Sequence, residues 1–425
     1  MTVHRTIAKT AAETTLAAQF AEFQGPDLER RAAGFKAFEA AGLPTRRIEA
    51  WHYTDLRSVM STAAPLASAP GAEQIEAARK QLKTRKRLAD LRLVLLDGRF
   101  IAELSDPTPK GVMAGTLAGS PPLAQADAVV SLNEAFAVDG LALLFDAGVR
   151  PTERIEIAHF VSAASPAAIY SRVSMTLLAG AAAQIVETFL GANADCQRNA
   201  VTRLSLGEGA RCSHVSVIDD EPGFHLESQI AILGAEAEFD AFALVAGGKL
   251  TRRQIFARLA GEGAKIALSG LALIDGRRHA DTSLTVNHGA PGGQSREFYK
   301  HIVADEATGV YQGKVIVEPG AQKTDGGMKS QAILLSPNAA MNNRPELEIF
   351  ADDVVCGHGA TVGALDRDQL FYLRARGLPE KEAEAMLLEA FGSEAIERVG
   401  EEALREILRN KMRAWLSLRA EQGGR

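Results

Sequence analysis

The chain has 425 residues, of which 46% are hydrophobic and 24% are charged, a composition typical of a globular protein and not of a disordered one. Its net charge of −6 argues against nucleic acid as the main partner. The three cysteines, Cys196, Cys212 and Cys356, are too few and too widely spaced for a disulfide framework. Since no apolar signal segment and no uninterrupted membrane span are visible, the sequence predicts a cytoplasmic protein.

Residues 1–149 are predicted to form a mixed helical and stranded region. The segment "LERRAAGFKAFEAAGLPTRR" joins strong helix formers to Gly42 as a C-cap and Pro44 as a helix breaker. The segment "LRLVLLDGRFIAELS" places two apolar runs around Asp97 and Gly98, the pattern of a β-hairpin. Between them, "EAWHYTDLRSV" holds one of only two tryptophans, and we interpret it as an anchor that packs the helices on the region C-terminal to them.

Residues 150–365 are predicted to form the core of the fold. Apolar and β-branched runs alternate here with glycine- and alanine-rich turns, and no convincing helix interrupts them. Four turns share one pattern, and their alanines recur every 27 residues, at Ala183, Ala210, Ala237 and Ala264. Later turns are predicted at Ala321 and Ala360. A fixed period without helices indicates stacked coils and favours a β-solenoid, with an antiparallel meander as the alternative.

Residues 366–425 are predicted to be helical to the end. Gly377 suits a left-handed C-cap and Pro379 suits the first turn of the next helix. An apolar stripe follows at helical spacing, formed by Ala383, Met386, Leu387, Ala390 and Phe391. Such a stripe can cover the end of a solenoid, dock a partner, or do both. Capping is the first interpretation, because an open solenoid end invites aggregation.

The sequence lacks the common motifs for nucleotides, zinc and nucleophilic catalysis. There is no GxxxxGK[ST], no GxGxxG opening a helix, no HExxH, no CxxC and no GxSxG. Nothing in the chain therefore predicts that it binds ATP, a dinucleotide or a closed zinc site by itself.

Two Cys-x-His pairs stand out among the remaining candidates. Cys356 and His358 lie in the strand-like "ADDVVCGHGATVG", where residues two apart share a face. They could form a soft-metal site, a catalytic pair or part of a packed sheet. Cys212 and His214 repeat the same spacing, although a cysteine commonly behaves as a small buried hydrophobe. His159, on a strand-like run without a partner in sequence, is interpreted as structural.

The segment "RPELEIFADDVVCGHGATVGALDRDQLFYLRARGL" closely resembles the C-terminal signature of the SufB/SufD family of iron–sulfur cluster assembly proteins. "RRIEAWHYTDLRSV" resembles the N-terminal motif of the SufD branch, and "HADTSLTVNHGAP" through "YKHIV" resembles a mid-core segment of the family. The resemblance spans residues 44–395. SufB-like chains have an "EHEAT"-type sequence where this chain has Gly357 and Gly359 around the histidine, which indicates the SufD branch and removes the acidic residues of the SufB type.

The resemblance implies a right-handed parallel β-helix flanked by helical regions, and a non-catalytic scaffold role that extends to iron entry. It implies two partners, a SufB-like paralogue and a SufC-like ABC ATPase that would hydrolyse the ATP. His358 matches a histidine at the SufB interface and would ligate iron, whereas Cys356 would either ligate or pack. The ATPase would dock on the C-terminal helices through Leu378, Met386, Leu387 and Phe391.

The resemblance also bears on cofactors and on alternative functions. The chain alone would hold no cofactor stably, a transient cluster or iron would lie at the SufB interface, and flavin would join only the assembled complex. A purely structural homodimer would use the same surface and stays open as an alternative. A polysaccharide-acting β-helix enzyme would need clustered acidic residues and usually a secretory signal, and neither is visible.

Overall fold

Two long β-sheets face each other across an apolar interior, and α-helices pack on their outer faces. This computed structural model describes residues 8–117, 120–162, 166–191, 195–219 and 223–422. The chain winds through about seven turns, each of which adds one parallel strand to each sheet. The predicted β-helix is therefore confirmed, and the alternative of an antiparallel meander is wrong.

The elements follow one another in three groups. The N-terminal group is α1 (Ala11–Ala21), α2 (Leu28–Ala41), α3 (Leu56–Val59), α4 (Ala72–Thr84), β1 (Leu91–Leu96), β2 (Arg99–Phe100), β3 (Val112–Gly115), α5 (Ala128–Phe136) and β4 (Leu141–Phe145). The solenoid strands are β5 (Ile155–Phe160), β6 (Ala168–Leu177), β7 (Ala182–Leu190), β8 (Gln197–Leu206), β9 (Arg211–Ile218), β10 (Phe224–Leu233), β11 (Glu238–Val245), β12 (Leu250–Leu259), β13 (Lys265–Ile274), β14 (His279–His288), β15 (Gln294–Val303), β16 (Thr308–Val317), β17 (Asp325–Leu334), β18 (Ala340–Ile349) and β19 (Val355–Gly363). The C-terminal helices are α6 (Arg367–Ala375), α7 (Glu380–Ile396) and α8 (Glu402–Gln422).

The strands alternate between the two sheets along the chain. The odd-numbered sheet, named after most of its strands, has the order β19-β17-β15-β13-β11-β9-β7-β5-β1-β2. The even-numbered sheet has the order β18-β16-β14-β12-β10-β8-β6-β4-β3. All sheet neighbours are parallel except β2 on β1 and β3 on β4. Arg211, Glu238 and Lys265 are neighbours in register, so these coils are 27 residues long, whereas the next coil lengthens to 29 and ends at Gln294.

The corner alanines confirm most of the predicted repeat and correct its first member. Three of the predicted corner residues occupy equivalent, fully buried positions, namely Ala210, Ala237 and Ala264. In the coil before them, Arg211 pairs with Ala182, so the equivalent corner residue is Ala181 and the predicted Ala183 lies inside β7. The turn predicted at Ala360 is also wrong, because β19 continues through that residue without a break.

The N-terminal group caps the beginning of the solenoid. Asp97 and Gly98 both have positive φ, at 49° and 84°, and turn β1 back on β2, so the predicted hairpin is confirmed. Trp51 is buried, donates its indole N–H to Asp127 at 3.2 Å and lies under the guanidinium of Arg252, 3.7 Å from the ring centroid. The "EAWHYTDLRSV" segment therefore anchors the helices on the even-numbered sheet.

The C-terminal helices cover a side of the solenoid and leave its end open. The apolar outer face of the odd-numbered sheet packs against α7 and α8, through Val215, Val217, Phe242, Leu244, Leu271 and Leu273 on the sheet and Leu388, Ile396, Leu408, Met412 and Trp415 on the helices. Of the apolar stripe that the sequence predicts on α7, Ala383 is buried here and Phe391 is half-buried, whereas Met386 stays 50% exposed. The expectation that the helices cap the solenoid end is therefore wrong.

Candidate functional site

The solenoid ends in two strands with free edges. β19 pairs with β17 and β18 pairs with β16, and neither has a second neighbour among the strands that the structure describes. Val355, at the start of β19, is 73% exposed, and Phe350, directly after β18, is 62% exposed. Unpaired strand edges with exposed apolar side chains are a template for pairing with another chain, so this end is a candidate interface.

Cys356 and His358 lie on β19 and face the interior side of the sheet, as strand alternation predicts. Cys356 pairs with Gly326, and His358 pairs with Met328, whose side chain belongs to the interior core. The Cys356 side chain is half-buried and packs against that core, whereas His358 is exposed at the open end. In the described part of the chain, the His358 imidazole has no hydrogen-bond partner.

The chemistry of this pair suits a soft or borderline metal. Burial raises the pKa of the Cys356 thiol, and the negative charges of Asp325 and Glu297 raise it further. The thiol is therefore protonated at neutral pH, and a metal would have to displace that proton. Imidazole and thiolate are both ligands for iron, but two side chains do not complete a site. No group of three potential ligands is arranged for a metal among the described residues, so further ligands would come from another chain.

The second Cys-x-His pair is structural. The Nε2 atom of His214 lies 2.9 Å from the Glu187 carboxylate, and that of His159 lies 2.6 Å from the same group. Thr202 donates a third hydrogen bond to it at 3.0 Å. Burial raises the pKa of Glu187, but the hydrogen bonds and charges of the two histidines outweigh it and hold the pKa well below its usual range. Burial also raises the pKa of Cys212 to about 12, so that thiol is inert.

Sequence reasoning missed the carboxylates that face the solenoid interior. Arg253 donates two hydrogen bonds of 3.0 Å to Glu227, and Glu187 is held by its two histidines. A third carboxylate, Glu297, pairs in the β-ladder with Met328, next to His358. A charged residue inside an otherwise apolar strand pattern is the signal that could have found all three, because such residues are almost never buried unless they are paired.

The four residues predicted to dock an ATPase have different environments. Met386 is 50% exposed, and Leu378 and Leu387 are half-buried. Phe391 packs against the apolar cluster between α7 and the sheet and lies 4.0 Å from the Lys300 ammonium, so most of its surface is already used within the chain. The largest exposed aromatic surface in this region was not predicted and lies on α6, at Phe371 (73% exposed) and Tyr372 (56% exposed).

Comparison of the sequence with known proteins gives one consistent family. Residues 159–391 match the family model described as "SUF system FeS cluster assembly, SufBD core domain". The chain is 29% identical over 376 residues to the iron–sulfur cluster assembly protein SufD of Escherichia coli (strain K12), covering 86% of this chain and 87% of that protein. It is 28% identical over 410 residues to the chloroplastic protein ABCI7 of Arabidopsis thaliana, covering 88% and 82%.

A third relative, the SufBD family protein slr0076 of Synechocystis sp., is 27% identical over 383 residues, which cover 84% of this chain and 84% of that protein.

Within the described residues, no helix is long and apolar enough to cross a membrane. The family model covers more than half of the chain, and the matched residues include most of the solenoid strands. The chain belongs to the SufBD family of iron–sulfur cluster assembly proteins and is a homologue of SufD.

Proposed function

We propose that the chain is a non-catalytic scaffold subunit that pairs with a SufB-like paralogue through its open solenoid end and presents iron ligands there. The observation that carries the proposal is the coincidence of two features at one place. Both sheets end in free strand edges, and the last of these strands carries Cys356 and His358 on its interior face. A partner strand along these edges would cover the pair and bring further ligands to it. Iron and the nascent cluster are then cargo held between two subunits.

The ligand role of His358 is tested with the anaerobically purified complex of all subunits. His358→Ala is expected to leave folding and complex formation intact, because the imidazole is exposed and unpaired, and to lower the iron and sulfide content at least twofold. His52→Ala is the matched control, since His52 is also exposed but lies in the N-terminal group. A normal iron and sulfide load in His358→Ala would contradict the ligand role.

An ABC-type ATPase of the SufC kind is proposed to dock on α6 and the beginning of α7. The sequence contains no nucleotide-binding motif, which supports the proposal that the partner hydrolyses the ATP. Phe371, Tyr372 and Met386 support a docking surface, because large apolar side chains exposed together commonly mark a protein interface. Leu378 and Leu387 border this surface, whereas Phe391 stabilises the chain's own core.

Point variants test this docking better than removal of the helices would. Deleting residues 379–425 would uncover the apolar face of the odd-numbered sheet, so a loss of binding would not distinguish docking from misfolding. The double variant Phe371→Ser with Tyr372→Ser is expected to lose co-purification of the ATPase and to keep the paralogue. Leu418→Ser, at an exposed position on α8, is the control. Undiminished ATPase binding by the double variant would move the docking site elsewhere.

The partners are identified by anaerobic purification of the untagged chain from its own cells. Recovery of a SufB-like paralogue and an ABC-type ATPase is the expected result. Recovery of an iron-free homodimer alone would favour the alternative of a structural dimer that uses the same free edges. The chain by itself is proposed to hold no cofactor stably, and flavin is assigned to the assembled complex only.

A further inference from the structure

Glu297 lies two strands inside the open end, in line with His358. It pairs in the β-ladder with Met328, and Met328 pairs with His358, so all three share the interior face. On its other side Glu297 pairs with the core residue Leu268. Neighbouring strands are ~4.8 Å apart, which places the Cα atoms of Glu297 and His358 about 10 Å from each other. A glutamate side chain can span much of that distance.

The Glu297 carboxyl group is buried without a partner. Its side chain is only 2% exposed, and neither oxygen has a partner at hydrogen-bond geometry among the described residues. Burial raises the pKa of Glu297 to about 7, and the nearby Ser295 hydroxyl lowers it only in part. A buried carboxylate normally has a cation or several donors beside it, so this group lacks its compensation in the isolated chain.

The Arg296 charge lowers the pKa of Glu297 only in part, and no titratable group among the described residues forms an ion pair with Glu297. Burial lowers the pKa of His288 and of His301 to about 4, so both imidazoles are neutral at neutral pH. Burial raises the pKa values of Tyr299 and Tyr311, so both phenols are neutral as well. Two arginines lie near Glu297, and both are paired with other carboxylates. Arg253 forms an ion pair with Glu227, and Arg296 lies on the other face of β15, where it forms an ion pair with Asp325.

Close packing at Gly326 brings the Cys356 thiol near the strand that carries Glu297. Cys356 pairs with Gly326, and Gly326 pairs with Ser295, two residues before Glu297. A Cβ atom placed on Gly326 would lie 3.3 Å from the Cys356 Sγ atom and 3.5 Å from the Ser295 Oγ atom. Because glycine has no side chain, nothing separates the thiol from the polar interior at this point.

We propose that Glu297 is a positioning residue of the end-face site, whose carboxylate balances the charge of a divalent cation held by Cys356 and His358. The proposal rests on the iron-ligand role proposed above and adds an interior group to it. Glu297 acts at a distance, along the ladder line past Met328, and does not itself complete the ligand set. A divalent cation bound by one thiolate keeps a net charge of +1. At a separation of roughly 6–8 Å and an effective dielectric constant of about 20, a full negative charge strengthens the binding of such a site about 30- to 100-fold.

The first measurement is the affinity of the reduced, metal-free complex of this chain with its SufB-like paralogue for Co²⁺, titrated anaerobically and followed by calorimetry and by thiolate-to-cobalt absorption. Glu297→Gln is expected to weaken Co²⁺ binding at least tenfold while the fold is kept. Asp240→Asn is the matched control, because burial also raises the pKa of Asp240, to about 6, but Asp240 lies on the outer face of β11. Glu297→Met is a second variant that removes the charge with an apolar side chain of similar length.

The second measurement counts the protons released when Co²⁺ binds, by calorimetry in buffers of different ionisation enthalpy. At about pH 6 the empty site holds Glu297 protonated, and a bound cation drives that proton off. The wild-type complex is therefore expected to release about one proton more than the Glu297→Gln complex. A purely structural role for Glu297 would change stability but not this count.

The possible outcomes separate the inference from the proposed function. Equal affinity and equal proton release in wild type, Glu297→Gln and Glu297→Met would overturn the role of Glu297, while loss of binding in His358→Ala would still support the ligand role. Unchanged binding in His358→Ala would overturn the ligand role and the inference with it. A wild-type complex that binds no Co²⁺ would overturn the inference, whereas the pairing with a paralogue would still stand on its own test.

Discussion

Buried glutamates in the earlier and in the last coils of the solenoid interior have different surroundings. In the first coils, Glu187 accepts hydrogen bonds from two histidines and a threonine, and Glu227 is held by both arms of Arg253. In the last coils, Glu297 faces the same interior with no hydrogen-bond partner among the described residues. The carboxylates of the earlier coils are paired within the chain, whereas, in the part of the chain that the structure describes, the carboxylate of the last coils is not. The difference supports the proposal that the paired polar residues stabilise the fold, whereas the charge of Glu297 is balanced only when a cation is bound.

The largest effect is expected where the paired end is broken. Glu187→Leu leaves His159 and His214 buried without their acceptor, and the loss of one member of such a network costs about 3–5 kcal/mol of unfolding free energy. Urea unfolding followed by tryptophan fluorescence measures this loss. Glu208→Gln, at an exposed turn position, is the control and should stay within about 0.5 kcal/mol of wild type. A loss below about 1 kcal/mol in Glu187→Leu would show that the first coils do not depend on their polar pairs.

The paired end should also respond to acid. Burial raises the pKa of Glu227, but the charge of Arg253 and the hydrogen bonds from His225 and Arg253 outweigh it and lower the pKa to about 2, from an ordinary value of 4.5. The unfolded chain then binds the proton more readily than the folded one. The stabilisation is therefore complete above about pH 4.5 and is lost as the pH falls towards 2, by about 3 kcal/mol in total. The unfolding free energies of wild type and Glu227→Gln between about pH 5 and 3 should converge, and parallel curves would contradict the prediction.

The open end should respond to pH in the opposite direction. The raised pKa of Glu297 means that the folded chain keeps its proton up to about pH 7, whereas the unfolded chain loses it near 4.5. Stability therefore falls as the pH rises between these values. At about pH 8 and without metal, Glu297→Gln is expected to be more stable than wild type by about 1–3 kcal/mol, and the gain should vanish near about pH 4. A variant less stable than wild type under the same alkaline conditions would mean that the carboxylate has a stabilising partner.

Part of this contrast follows from sequence and part does not. The 27-residue period predicted the coils, and strand alternation placed Cys356 and His358 on one face. The pairing of His159 with Glu187 was not predicted, because the two residues meet only once the coil length and register are fixed. The prediction that the C-terminal helices cap the solenoid end was wrong for a related reason. The helices cover an apolar outer face to which several strands contribute residues. No single segment of the sequence shows that face.

The smallest effect on stability, and a large one on association, is expected at the free edge itself. Val355 is 73% exposed, so Val355→Lys should change the unfolding free energy by no more than about 0.5 kcal/mol. A lysine on an edge strand opposes pairing with a further strand, so the variant should lose association with its paralogue or with a second copy, as measured by sedimentation velocity. Lys265→Ala, on a covered interior coil of the same sheet, is the control for a change of surface charge. Because β19 has a free edge whether or not metal is bound, this loss should also occur in metal-free protein. Association that persists in Val355→Lys would place the partner away from the open end and would separate pairing from the Cys356 and His358 site.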